Sequence, residues 1–421
     1  MQKSALFAAF LTAMSLVLPA FGETGFGEKP ALPKPYATEP VKRLASLAEW
    51  PAGKTPIAPK GFTVNKFAGD LDNPRWLYVL PNGDVLVSGD TRGGWFRRKE
   101  NRITLLRDAN GDGVAETQSI FLEKLDRPFG MALVKDKLYV GEQGAVLSFP
   151  YWTGDTEIKK SGEKILDLPS GGYNHHWTRN IVANKDGTKL YVTVGSASNV
   201  GEGGMEDEID RANILEINPD GSDKKVFASG LRNPVGMDWE PVSGKLWTAV
   251  NERDNLGDDL VPDFMTSVTP GGFYGWPYFY FGANPDPSWS GQTKEMAKKV
   301  LTPDYALGAH TASLGLAFCT SKKFCGKYFG GAFVGQHGSW NRSEFAGYKV
   351  IFVPFKGGRP AGPPEDFLTG FMPDRKAGIT YGRPVSIAFA ADGAMLVSDD
   401  AGGMVWRVER MPEAKTPRQG K

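Results

Sequence analysis

The sequence predicts an all-β chain, a six-bladed β-propeller with four-stranded antiparallel blades. Three observations predict it: a two-part segment recurs six times in the same order, Gly and Pro punctuate the chain throughout, and no long stretch carries a helical apolar period. The first part is a polar lead-in, often Arg-Pro or Asn-Pro, that runs into an apolar strand. It occurs as NPRWLYVL from 73, RPFGMALV from 127, NHHWTRNIVA from 174, RNPVGMDW from 232, HTASLGLAF from 310 and GRPVSIAF from 382. The second part is a tight turn followed by an alternating strand: NGDVLVSGD from 82, KDKLYVGEQG from 135, DGTKLYVTVGS from 186, SGKLWTAVNERD from 243, FGGAFVGQHGSW from 329 and DGAMLVSDDAGG from 392. Such units recur at roughly 50 to 85 residues, and none can bury both faces alone, so stacking around an axis satisfies them where a sandwich of irregular spacing does not. The 52 glycines, 30 prolines and 11 tryptophans suit a turn-dense, aromatic-rich sheet protein.

The flanks read differently. Residues 1–22 have the pattern of a signal peptide, with Lys3 ahead of an apolar run from Ala5 to Leu18 and a small-x-small site at Ala20-Phe21-Gly22. Cleavage near Gly22 predicts a periplasmic or secreted protein. Residues 23–57 read as a Pro- and Lys-rich extension, 58–410 as the propeller and 411–421 as a tail. No later segment approaches the roughly 20 apolar residues of a membrane span. With 49 basic and 48 acidic residues, the balance of charge excludes nucleic acid as a partner. Cys319 and Cys325 are close enough for a local disulfide in an oxidising compartment, or for two buried thiols. No C-x-x-C-H motif attaches haem, so redox chemistry here needs a separate electron acceptor.

The innermost strand of each blade lines the channel, so the six lead-ins converge on one end of the axis. They carry Arg75, Arg127, His175 with Arg179, Arg232 with Asn233, His310, and Arg383. Guanidinium groups crowded at a channel mouth repel one another unless an anion lies between them. Their planar forks bind carboxylates, which points to a small planar tricarboxylate; pairing with loop Asp and Glu residues is the competing reading. Of the four histidines, His175 and His176 sit at the third lead-in, where a neutral imidazole suits a general base and only one of two neighbours faces the channel. Glu252, Asp254, Asp258, Asp259 and Asp263 gather beside a Gly-rich loop, as calcium ligands or as a solvated acidic loop. RDANGDGVAE at 107–116 begins like a calcium loop, but Glu116 falls too early for the EF-hand pattern, so a hairpin turn is the first reading.

Four motifs in order, N-H-x-x-x-R at 174–179, G-L-R-N-P at 230–234, G-G-x-Y-G-W-P at 271–277 and V-G-Q-H-G-S-W at 334–340, resemble the soluble glucose and sorbosone dehydrogenase family of quinoproteins, most closely its sorbosone branch. The resemblance covers roughly residues 61–409 and implies pyrroloquinoline quinone (PQQ) in the central pocket with calcium beside it. It implies His175 as the catalytic base, and Arg127, Arg232, Asn233, Arg383 and His337 around the cofactor. It further implies Asp258, Asp259 and the Tyr274 carbonyl as calcium ligands. The reaction implied is oxidation of a sugar aldehyde or aldose to the acid or lactone, with electrons passed to a cytochrome or quinone.

Two departures stand out. Ser196 occupies the position of the acid that orients the histidine, leaving Asp210 as another candidate, and the family's cofactor-contacting lysine is replaced by QHGSWNR, with His337 or Arg342 as substitutes. Trp289 and Tyr305 are candidate rim aromatics. The competing functions are a calcium-dependent propeller lactonase and a non-catalytic propeller that binds carbohydrate or protein.

Overall fold

Each lead-in becomes the innermost strand of a blade, and each tight turn returns the chain antiparallel to it. A computed structural model describes residues 25–89 and 101–412; the proposed signal peptide lies outside them. Blade 1 is formed by Pro74–Val79, Val85–Gly89, Asn101–Arg107 and Thr117–Leu125. Blade 2 runs from Met131–Val134 to Glu163–Asp167, blade 3 from Ile181–Ala183 to Lys225–Ser229, blade 4 from Pro234–Trp239 to Tyr305–Ala309, and blade 5 from Ser313–Phe318 to Glu365–Leu368. Within these blades the strands follow chain order and pair antiparallel, as in Val85 to Leu106 of blade 1. The first turn is set by Asn82-Gly83, whose glycine takes a φ of 93° that a side chain disfavours.

Blade 6 is composite. Pro384–Phe389, Met395–Asp399 and Met404–Arg410 supply three strands, and Phe62–Ala68, from more than three hundred residues earlier, pairs with the last of them. This closes the ring and leaves no unpaired edge between its first and last blades. Inner-strand backbones meet so closely near the axis that glycine is required. A Cβ on Gly236 would lie 2.6 Å from the Leu314 carbonyl oxygen, and one on Gly315 would lie 2.1 Å from that of Val385.

The extension straps this assembly from outside. Phe26 and Gly27 add a short strand to blade 4 opposite Leu307 and Ala306, and Ser46 and Leu47 pair with Ile379 and Thr380. Between them Tyr36 N donates to the Leu256 carbonyl and Asp258 N donates to Thr38 Oγ1, so the strap holds a loop at the end of the axis that the lead-ins share. The stretch 37–49, which has some helical period, is not a helix; packing against blades 4 to 6 overrides it. Among the described residues the helical segments are Lys294–Ala297 and a short 3₁₀ turn at Gly326–Tyr328.

Cys319 and Cys325 are bonded, with Cα atoms 5.8 Å apart, inside the large aromatic core between blades 5 and 6. Replacing Cys325 with Ser is expected to lower stability by about 2 kcal/mol, the loop-entropy value for so short a crosslink, in urea unfolding followed by tryptophan fluorescence. Gly315→Ala is expected to cost about 1–3 kcal/mol through the clash with Val385, seen as a lower urea midpoint with an unchanged slope.

Candidate active site at the axis

The lead-ins build a floor before they build a site. Trp76, Phe129, Val235, Leu314 and Val385, from five blades, form one buried apolar cluster across the axis, and Trp177 of blade 3 packs on it. The Trp76 and Phe129 rings are 5.0 Å apart, and Trp177 stands edge-on to Phe129 at 6.0 Å. Each of these residues lies one to four positions beyond its lead-in's cationic residue, Trp76 directly after Arg75 and Leu314 four after His310, so the same short segments supply both the floor and the mouth. Above the floor, the Arg127 guanidinium lies 4.0 Å from the Trp177 ring centre and that of Arg75 lies 5.7 Å from it.

Asp400 organises one side. Arg75 Nη1 donates to its Oδ2, and His337 Nε2 lies 2.9 Å from its Oδ1. Burial alone would raise the Asp400 pKa, but the hydrogen bond with His337 and the Arg75 and Arg383 guanidinium groups outweigh it and hold the carboxyl far below its usual range. Burial and the nearby Arg383 bring His337 down to about 4, so at neutral pH the imidazole is neutral and donates through Nε2–H. Arg383 in turn donates from Nε to the His337 carbonyl at 2.9 Å and from Nη2 to that of Gly338 at 2.7 Å.

Arg232 organises the other side and is 1% exposed. Its Nε donates to the Asn199 carbonyl at 2.9 Å, Nη1 to the Glu252 carbonyl at 2.8 Å, and Nη2 to Asn199 Oδ1 at 2.8 Å. Asp254 Oδ2 is 3.6 Å from Nη2, and His310 Nδ1 is 3.3 Å from Asp254 Oδ1. His310 Nε2 faces the Gly257 carbonyl at 2.9 Å, so both ring nitrogens meet acceptors. Burial opposes protonation of His310, but these bonds and the Asp254 charge raise its pKa. Burial lifts the carboxyl of neighbouring Glu252 to about 7. Asn233 Oδ1 and Arg75 Nε are buried with no hydrogen-bond partner among the described residues.

The two blade 3 histidines sit side by side, ring centres 4.9 Å apart and nearly perpendicular. His175 is exposed at the mouth, with Nδ1 3.2 Å from the Tyr173 hydroxyl. His176 is buried, and its Nδ1 is 2.9 Å from both the carbonyl and the hydroxyl oxygen of Ser196. Burial, then the Arg232 charge, lowers the pKa of both imidazoles, much more for His176.

The structure thus brings Arg75, Arg127, Arg232, Asn233, Arg383, His175, His176 and His337 to one end of the axis. Others go elsewhere. Arg179 is fully buried and donates to the carbonyls of His176, Thr178 and Pro169, because the short strand it precedes turns it into the blade. Asp210 pairs with Lys224 at 2.7 Å and orients no histidine, and Arg342 binds Asp259 at 2.9 Å. Tyr305 is buried in blade 4, its hydroxyl on the Gly362 carbonyl, so it is no rim residue; Trp289 is half-buried and donates to the Val200 carbonyl. The Asp258 carboxylate accepts from Ser343, and the Tyr274 hydroxyl donates to the Ser267 carbonyl. Among the described residues, the group of acids close enough to share an ion is Asp108, Asp112 and Glu116, in the blade 1 hairpin. There Asp108 accepts backbone N–H bonds from Gly111 and Gly113, as a turn requires. Sequence reasoning missed Asp400 and Trp177. Asp400 follows the blade 6 strand as His337 follows that of blade 5, a repeat correspondence that would have found it.

The TrAA12-like family model matches residues 56–267 and 281–411. An uncharacterized protein of Borreliella burgdorferi is 29% identical over 363 residues, which cover 83% of this chain and 89% of that protein. A pyrroloquinoline quinone-dependent pyranose dehydrogenase of Coprinopsis cinerea is 26% identical over 413 residues, covering 83% of this chain, which spans 54% of that protein's length. The holo form of that enzyme's PQQ domain superposes with a TM-score of 0.70 at 21% identity, over 88% of this chain and all of that one. The PQQ-bound aldose sugar dehydrogenase of Streptomyces coelicolor superposes with a TM-score of 0.57 at 19% identity, over 84% of this chain and 99% of its own. These likenesses establish the shared propeller fold, and nothing in them singles out a sorbosone branch.

Asp400→Asn is expected to cost about 3 kcal/mol, because Arg75 would be left buried without its counter-charge. Since the carboxyl's pKa is depressed on folding, its contribution is full above about pH 4 and is lost on acidification below that. Urea midpoints of wild type and variant should therefore differ at pH 7 and converge toward pH 2; a constant difference would refute the charge account.

Proposed function

The chain belongs to the TrAA12-like family, and we propose that it is an exported PQQ-dependent dehydrogenase that oxidises a sugar and passes the electrons to an external acceptor. The observation that carries this is the composition of the axial mouth. Arg75, Arg127, Arg232 and Arg383 outnumber the carboxylates Asp254 and Asp400 there, and they lie above a planar aromatic floor. A planar tricarboxylate fits this donor set. It supplies the missing negative charge, can stack near Trp177, and can meet polar atoms such as Arg75 Nε and Asn233 Oδ1 that the protein leaves unpartnered.

When bound, the quinone supplies a two-electron acceptor for hydride. This chain's own groups do the rest. The guanidinium groups of Arg127 and Arg383 would hold its carboxylates, the floor of Trp76, Phe129 and Trp177 would exclude water, and an imidazole of the His175–His176 pair would take the substrate hydroxyl proton. An anomeric hydroxyl gives a lactone, and a hydrated aldehyde gives an acid. Calcium has weaker support. Asp258 and Asp259 would have to release Ser343 and Arg342 to bind it with the Tyr274 carbonyl, so no step is assigned to a metal. A lactonase reading leaves the guanidinium surplus unexplained, because a lactone is uncharged. A purely binding propeller has no use for two neutral imidazoles at the mouth.

Titrating the purified protein with PQQ, followed by cofactor absorbance, should give saturable binding that weakens at high salt, with dye-linked turnover on a pyranose panel. Arg127→Gln and Arg383→Gln should each weaken binding by about tenfold or more, the value of one charge-assisted bond. Absence of binding at micromolar quinone would sink the proposal.

A further inference from the structure

We propose that the cleft between blades 4 and 5, beside the axial mouth, is a second binding site and that it takes a neutral saccharide. It is formed by the Ala309 end of the blade 4 outer strand, by Gln336 of blade 5 and by the loop at 342–347. Its volume of about 590 Å³ falls within the roughly 300–1,000 Å³ of small-molecule sites. The inference is independent of the quinone reading above.

One buried atom makes the case. Gln336 lines the cleft and is itself fully buried. Its Nε2 donates to the Leu307 carbonyl at 2.9 Å and to Ser313 Oγ at 3.3 Å. A carbonyl can only accept, so the amide cannot be turned over, and Oε1 is left buried with no hydrogen-bond partner among the described residues. Neighbouring Thr311 is satisfied, since its Oγ1 donates to Asp263 Oδ2 at 2.9 Å. A ligand that fills the cleft must therefore bring a donor to Gln336 Oε1. One strand alternation separates this group from the axis: His337, the next residue, bonds Asp400 at the mouth, whereas Gln336 turns toward blade 4.

The walls decide what carries that donor. The lining residues include three cations, Arg342, Lys349 and Arg375, and three acids, Asp259, Glu344 and Asp366. Arg342 pairs with Asp259 and Lys349 with Asp366, while Arg375 donates to the Phe345 carbonyl at 2.7 Å and the Gly347 carbonyl at 3.0 Å. The charges cancel, so the cleft has no surplus to attract an ion. A carboxylate would set a further acceptor against Oε1, and a hydrocarbon would desolvate the ion pairs without replacing their hydrogen bonds to water. Hydroxyl groups both donate and accept. A ring that carries several of them can meet Oε1 at depth and both signs of charge around it, with its C–H face against Phe26 and Ala346.

The test uses the full chain without cofactor, titrated calorimetrically with glucose, cellobiose and maltose, together with crystals soaked in the same sugars. Saturable binding is expected, with density in the cleft that places a sugar hydroxyl within hydrogen-bond distance of Gln336 Oε1. Gln336→Leu should weaken binding by about tenfold, the value of one hydrogen bond at a buried acceptor. Ala346→Trp, which fills the half-buried wall and leaves Gln336 in place, should abolish it, and it decides the matter if Gln336→Leu does not fold. Both variants should bind PQQ as the wild type does, because neither side chain faces the axis. No calorimetric binding, sugar density at the axis alone, density in the cleft without binding in solution, or unchanged binding by Ala346→Trp overturns the proposal. A wild-type chain that binds sugar in the cleft but no quinone sinks the dehydrogenase reading and leaves this one standing.

Discussion

The site depends on one buried carboxylate more than on any other group. Asp400 follows the second strand of blade 6, the blade assembled from both ends of the propeller sequence, and its two oxygens reach Arg75 of blade 1 and His337 of blade 5. Ring closure and charge balance are therefore coupled. Phe62–Ala68 completes blade 6 against Met404–Arg410, and Asp400 carries the contact of that blade with Arg75 of blade 1. Opposite, Arg232 is held by a different device. Backbone carbonyls and Asn199 orient its guanidinium, and Asp254, 3.6 Å from Nη2, stands as its counter-charge. The mouth is thus divided between two guanidinium–carboxylate groups, Arg75 with Asp400 on one side and Arg232 with Asp254 on the other.

That division bears on the histidines. Arg232 lowers the pKa of both His175 and His176, and the family's acid is a serine here, so no carboxylate bonds to either ring to counteract it. His310 shows the opposite outcome at a similar depth: direct contact with Asp254 makes protonation favourable. Two buried imidazoles are thus shifted in opposite directions, one having a carboxylate against its ring and the other a carbonyl and a hydroxyl.

The fold was legible because its signals are local and repeated. The pairing of Asn82-Gly83 with an alternating strand, or of Asp392-Gly393 with MLVSD, encodes a hairpin within a dozen residues, and six repetitions leave few architectures. The cationic lead-ins were legible for the same reason: Arg127, Arg232 and Arg383 fall shortly before their inner strands, and Arg75 stands at the start of its own. What was not legible depends on side-chain direction across blades. Arg179 has the same chemistry as the others but precedes a three-residue strand and is consumed by carbonyls. Tyr305 lies in a loop-like sequence that becomes the blade 4 outer strand. Asp400 is one acid among many until the ring closes and sets it against Arg75. The motif match pointed to His175 and left out the contact of the adjacent His176 ring with Ser196, twenty residues downstream, which no local pattern shows.

A serine rather than an acid behind a buried imidazole changes the charge of the ring. A carboxylate partner raises the pKa of the ring and makes it a stronger base that is more often already protonated; a carbonyl and a hydroxyl leave it weaker but almost always neutral. In a pocket crowded with guanidinium groups the second arrangement has an advantage, since a further carboxylate would compete with an anionic cofactor for the same cations and reduce the surplus that attracts it. Burial, and then the Arg232 charge, hold the His176 ring well below the usual imidazole range, so at neutral pH it adds nothing to the repulsion among the guanidinium groups around it.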